Sequence, residues 1–81
     1  MKREIILPVF SAKLRELRKA RNLTQKNMAE LLQCTIRHYQ MVEYGQINIP
    51  VSTLIILADY FSVSTDYLLG RTDVHEYKGR V

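Results

Sequence analysis

Cysteine occurs once in these 81 residues, at Cys34. A lone cysteine forms no intrachain disulfide and supplies no thiolate metal site, which agrees with a reducing compartment. Long hydrophobic runs are also missing. The longest, Ile5 to Phe10, is interrupted by Pro8 and falls far short of the length that spans a bilayer. It follows Lys2 and Arg3 in the manner of a secretory signal, yet it lacks a small-residue cleavage site and leads straight into a charged segment. The expectation is a cytoplasmic protein with no membrane partner. Paired carboxylates, a glycine-rich phosphate loop and a multi-residue acid–base cluster are absent too. That speaks against an enzyme and gives no catalytic residue, cofactor or metal to assign. Internal repeats and low-complexity stretches do not occur.

What is present reads as one small domain. Hydrophobic residues make up 47% and charged residues 25%, ordinary values for a soluble globular chain. A fold this short has room for one site and a contact surface, but not for an added ligand-sensing domain. Any switch is therefore expected to act through concentration, a partner protein or dimerisation. The net charge of +4 hides an asymmetry. Residues 1–40 hold nine Lys/Arg against three acids, whereas residues 41–81 hold three against five. A polyanion is the natural partner for the first half; the plainer alternative is that these charges solvate a helix.

The hydrophobic period is helical throughout. Residues 1–9 read as an extended or irregular arm. Helix 1 is predicted from about Phe10–Ser11 to Arg21, because Phe10, Leu14 and Leu17 fall at i, i+4 and i+7. Asn22 tolerates the left-handed conformation that ends a helix. A second helix is predicted over Gln25–Leu32 with Thr24 as N-cap, and a third over Ile36–Tyr44 with Thr35 as N-cap and Gly45 as its end. Gln46–Val51 is a loop closed by Pro50. Helix 4 is predicted over Ser52–Phe61, with Leu54, Leu57, Ala58 and Phe61 inward and Ile55 and Ile56 widening that stripe. Ser64 caps a last short helix, and Gly70 ends it. The reading is an all-α domain of five helices over residues 10–70, followed by a polar tail at 71–81.

Helices 2 and 3 are joined by a turn too brief to be a flexible linker. If Tyr39 and Val42 face inward, then Ile36, Arg37, Gln40 and Met41 cannot all do so, and a mixed polar, basic and apolar surface faces out. A helix about 10–12 Å wide, presented in this way, fits a DNA major groove. Arg37 is placed to meet guanine O6 and N7, with phosphate as its alternative. Ile36 and Met41 suit thymine methyl groups, the alternative for Ile36 being burial against helix 2. Gln40 suits an adenine edge or a phosphate. His38 is placed for phosphate or as a plain surface histidine. Cys34 and His38 lie four apart, but two ligands make neither a zinc site nor a catalytic pair, and Cys34 reads better as a small apolar residue at the turn. Ile5, Ile6, Leu7 and Val9 raise a further alternative, a dimer contact through the arm by strand pairing.

The order and spacing of several pieces resemble the repressor/Cro/Xre class of helix-turn-helix regulators of bacteria and phages. These pieces are Leu14-x-x-Leu17-Arg18, Leu23-Thr24-Gln25, Met28-Ala29, Thr35, Glu43-x-Gly45, Pro50, Leu57-Ala58 and Val63-Ser64-x-Asp66-Tyr67-Leu68-Leu69-Gly70. The resemblance covers Phe10 to about Thr72. It implies that helix 3 is the recognition helix, with base-reading side chains at Ile36, Arg37 and Met41 and Gln40 exposed nearby. It places Gln25 against a phosphate and pairs Arg18 with Glu43 structurally. Lys26, Thr35, His38, Gln46 and Asn48 complete the expected phosphate contacts. Two departures stand out. Gln33 occupies a turn position where glycine is common, and the loop from Gln46 to Ile49 carries no charge. The expected function is a sequence-specific regulator of transcription, a repressor bound as a homodimer to a two-fold operator in double-stranded DNA. The alternative is a protein-interaction module such as an antitoxin-type partner-binding protein.

Overall fold

The computed structural model describes the backbone of residues 3–73 and the side chains of residues 8–73. Five helices follow in order: α1 Arg3–Ala20, α2 Gln25–Leu32, α3 Ile36–Glu43, α4 Val51–Phe61 and α5 Thr65–Leu68. Most are short, so their ends matter as much as their middles. Thr24, Thr35 and Ser64 each accept a hydrogen bond at 3.0 Å from the backbone N–H three residues on, satisfying a donor that has no intrahelical partner. At α2 the cap is reciprocal, since Asn27 Oδ1 accepts the Thr24 N–H at 2.8 Å.

All five helices stop in the same way. The N–H groups of Leu23, Cys34, Gln46, Val63 and Arg71 reach carbonyls five residues back, at 2.9–3.1 Å. The residue before each is left-handed: Asn22, Gln33, Gly45, Ser62 and Gly70, with φ between 56° and 77°. This closure satisfies the last carbonyls and turns the chain sharply. Only two of the five positions are glycine, so Asn22, Gln33 and Ser62 hold a backbone conformation that a Cβ atom disfavours. Gln33 thus keeps the turn geometry that a glycine would give.

The buried core draws on every element. Phe10, Leu14 and Leu17 come from α1, Met28 and Ala29 from α2, and Tyr39 and Val42 from α3; Leu57, Ala58, Phe61, Val63, Tyr67 and Leu68 complete it. α2 and α3 pack on each other, α1 lies against both α3 and α5, and α4 packs on α5. Cations on the first third of the chain also serve as staples. Arg21 donates to the carbonyls of Tyr60 and Phe61 at 2.9 and 3.1 Å. Lys13 sits 4.5 Å from the centre of the Tyr67 ring.

Two expectations need correction. The chain is helical from Arg3 rather than from Phe10–Ser11, so residues 3–9 are neither extended nor available for strand pairing. Pro8 lies inside α1 and removes one bond to the carbonyl of Glu4, but it does not end the helix. Val9 packs beside Gly70, and Phe10 is buried, which anchors the turn that follows the proline. The side chains of Ile5, Ile6 and Leu7, and residues 74–81 of the tail, lie outside the described residues. Ile55 and Ile56 do not widen the inner stripe of α4, being 40% and 45% exposed. Tyr39, read as inward-facing, is wholly buried, its hydroxyl included.

Candidate nucleic-acid interface

α3 divides its residues between two environments. Tyr39, Val42 and Glu43 face inward and are buried. Arg37, Gln40, Met41 and Tyr44 fall at i, i+3, i+4 and i+7, one above another on the opposite side. Together with Gln46 they line a shallow depression of about 250 Å³. Arg37, Tyr44 and Gln46 are exposed, while Gln40 and Met41 are half-buried. Ile36, at the first turn, is 43% exposed and not sunk against α2. Of the four side chains read from the sequence as an outward surface, Ile36 and Arg37 are exposed, and Gln40 and Met41 are partly so.

His38 and Asn48 lie elsewhere. They share a separate groove of about 70 Å³ with Cys34, Ile49 and Thr53. Burial pushes the Cys34 thiol above its ordinary pKa, which suits its half-buried packing at the turn. Lys26 is exposed on the first turn of α2, and Thr35, also exposed, spends its hydroxyl on capping α3.

Beneath the outer face lies a polar network centred on Glu43, a carboxylate only 1% exposed. Its Oε1 accepts from Arg18 Nε and from the Tyr39 hydroxyl, both at 2.7 Å. Its Oε2 accepts from Arg18 Nη2 at 3.1 Å and from Gln25 Nε2 at 3.2 Å. Burial alone raises the pKa of such a group. Here the bonds from Arg18, Tyr39 and Gln25 outweigh burial and hold Glu43 below the usual glutamate value. The same contact with Glu43 raises the Arg18 pKa, and burial followed by the Glu43 bond raises that of Tyr39. The third donor of Arg18, Nη1, closes on the carbonyl of Leu23 at 2.9 Å. α1, the start of α2 and the end of α3 are thus tied at one ionised group. Arg18 and Glu43, paired by resemblance, meet here.

Two features are missing from the sequence reading. Tyr44, 53% exposed, belongs to the outer face; continuing the spacing from Arg37 through Gln40 and Met41 would have found it. Gln25, expected against a phosphate, turns its amide into the network. Its Nε2 donates to Glu43 and, at 3.3 Å, to the Tyr44 hydroxyl, while its Oε1 accepts from Gln40 Nε2 at 3.0 Å. Pairs fifteen and nineteen residues apart follow no helical period.

Comparison with known proteins agrees with this geometry. The model of the helix-turn-helix family matches residues 14–68. Three curated relatives from Bacillus subtilis (strain 168) are similar to the chain. The uncharacterized HTH-type transcriptional regulator YobD is 38% identical over 65 residues, covering 80% of this chain and 58% of the relative. A second such regulator, YqaE, is 41% identical over 61 residues, covering 75% and 53%. The SPbeta prophage-derived regulator YonR is 33% identical over 64 residues, covering 79% and 59%. The chain spans somewhat more than half the length of these relatives. No solved structure matches it. With the family matched across the five-helix core and α2–α3 arranged around the Arg18–Glu43 tie, the chain belongs to the repressor/Cro/Xre-type helix-turn-helix family of transcriptional regulators.

Proposed function

We propose that this chain is a sequence-specific DNA-binding regulator of transcription, a repressor that occupies a two-fold operator as a homodimer. The observation that carries this reading is the exposed face of α3, on which Arg37, Gln40, Met41 and Tyr44 stand in one row above a rigid polar base. In the major groove Arg37 meets guanine O6 and N7, Ile36 and Met41 pack on thymine methyl groups, and Gln40 bonds a base edge. Lys26, Gln46 and the backbone N–H groups that open α2 and α3 take phosphates, as Thr35, His38 and Asn48 do at the flank. One domain touches few base pairs, so a second copy doubles the readout, with half-sites about 34 Å apart or a multiple of that. Repression needs only that the bound protein block polymerase. No described helix is long and apolar enough to cross a membrane.

Selection of bound sequences from a random pool of double-stranded DNA tests this. The expected outcome is an enriched motif with two-fold symmetry and half-sites at a helical-turn spacing. Failure to enrich any sequence would end the reading.

A second reading, an antitoxin-type protein-binding module, has one observation in its favour. α4 exposes Val51, Ile55, Ile56 and Tyr60, at 71%, 40%, 45% and 39%. In the first reading this face serves the second copy. Ile56→Lys should then convert a dimeric mass in solution to a monomeric one, while the isolated half-site affinity keeps its steep salt dependence. A mass that is monomeric from the outset would favour the partner-binding reading.

A further inference from the structure

We infer that Gln25 is a positioning residue that sets the direction of the Gln40 amide, so that Gln40 reads adenine at one position of each half-site. The inference rests on the DNA-binding reading above and goes beyond it by assigning a base to a side chain through its internal partner.

The constraint on both amides begins at Glu43. An ionised carboxylate only accepts hydrogen bonds, and Arg18, Tyr39 and Gln25 fill both of its oxygens. Whatever part of Gln25 faces Glu43 must therefore be its NH2 group. That group has two hydrogens: one goes to Glu43 Oε2 at 3.2 Å, the other to the Tyr44 hydroxyl oxygen at 3.3 Å. Gln25 Oε1 is left pointing toward Gln40, and an acceptor there requires a donor. Gln40 meets it with Nε2 at 3.0 Å. A flipped Gln40 would set two carbonyl oxygens against each other.

The direction of each amide is thus inherited from the buried charge. Gln40 keeps Oε1 and one Nε2–H for the depression that it lines with Arg37, Met41, Tyr44 and Gln46. One acceptor beside one donor complements the N6 amino group and N7 of adenine, whereas guanine offers two acceptors at the same edge and cytosine only a donor. Tyr44 is directed by the same logic. Its oxygen accepts from Gln25, so its own O–H is free to donate outward, which suits a phosphate oxygen.

Three proteins decide the matter in a base-selection experiment with random double-stranded DNA, each checked for its fold by circular dichroism and thermal melting. Wild type is expected to enrich adenine at one position per half-site, and Gln40→Ala should flatten that position alone. Gln25→Met keeps the length of the side chain but offers neither of the amide's hydrogen-bonding groups. It is expected to lower the adenine preference at the same position about tenfold, leaving the position read by Arg37 unchanged. If Gln25→Met instead weakens every sequence equally and the adenine preference stays, Gln25 is a phosphate contact and the inference is overturned. If Gln25→Met does not fold, Gln40→Glu decides: its carboxylate has no hydrogen to offer Oε1 of Gln25 or N7, so the position must change from adenine, and an unaltered profile overturns the inference. Failure of wild type to select any sequence strikes the DNA-binding reading itself and is seen in a different arm.

Discussion

Arg18 and Glu43, twenty-five residues apart, face each other through two hydrogen bonds of 2.7 and 3.1 Å, with the carboxylate sealed beneath α3. The two-pronged contact fixes angle as well as distance, because the planar fork of the guanidinium matches the carboxylate. The outward face of α3 is held from behind by this pair. Removing the cation should leave a buried, uncompensated charge. Arg18→Met is expected to lower stability by about 3–5 kcal/mol in chemical denaturation. Adding Glu43→Gln should restore part of that loss, and the difference in a double-mutant cycle is the coupling between the two side chains. Additive losses would show that the pair acts only as two separate packing groups.

The same network sets a pH window. Glu43 is held below the ordinary glutamate value of 4.5, because three donors outweigh its burial. A carboxyl group whose folded pKa is depressed contributes stability above its unfolded pKa, and that contribution is lost as pH falls toward the folded value. Tyr39 behaves in the opposite sense. Its pKa is raised from the ordinary 10.0 by burial and by the bond to Glu43. Its contribution is complete below that ordinary value and drains as pH rises past it, when the unfolded chain ionises and the folded one does not. Denaturation followed across pH should therefore decline at both ends. Glu43→Gln should flatten the acid limb, and Tyr39→Phe the alkaline one.

Much of this fold is legible in the sequence because its signals are local. Thr24, Thr35 and Ser64 announce three helix starts, and Asn22 an end, since capping depends on residues within one turn. α1 resists, because Pro8 is a reliable helix breaker only where no tertiary contact compensates; Phe10, buried two residues later, belongs to the same continuous helix. Hydrophobicity alone places Ile55 and Ile56 inward, but it does not distinguish a wide inner stripe from an exposed apolar face. The least legible feature is the relay from Glu43 through Gln25 to Gln40, for two glutamines on different helices can meet only once the tertiary fold exists. Resemblance supplies the Arg18–Glu43 pair but points Gln25 outward, and the chain's own Gln40 and Tyr44 draw its amide into the network.

Gln33 and Ser62 hold φ at 56° and 57° with side chains that are exposed. Neither position gains a cap from its side chain, whereas each carries the steric cost of a Cβ atom in left-handed backbone. Gln33→Gly and Ser62→Gly should each stabilise the domain by about 0.5–1 kcal/mol. For a domain of this size that corresponds to a rise of roughly 2–8 °C in Tm. Asn22→Gly, at the same φ, should gain less, because asparagine tolerates this region better. A drop in Tm at Gln33→Gly would mean that the glutamine stabilises the turn by some other route.

Arg37 and Lys26 are both exposed cations of the two-helix unit, yet they should report differently on DNA. Arg37 shares its row with Gln40, Met41 and Tyr44, where a duplex groove would meet base edges. Lys26 stands on the first turn of α2, outside that row, where the proposed function sets it against a phosphate. Arg37→Ala should therefore cost about 1–3 kcal/mol on the preferred site and relax selection at one position per half-site, with little change on mismatched sites. Lys26→Ala should weaken all sequences alike and reduce the slope of log affinity against log salt by about one unit for each phosphate it no longer neutralises. Binding isotherms on matched and mismatched duplexes over a salt series separate the two. If Arg37→Ala leaves the base profile intact while flattening the salt dependence, the arginine lies on the backbone, and specificity rests on Gln40 and the apolar contacts of Ile36 and Met41.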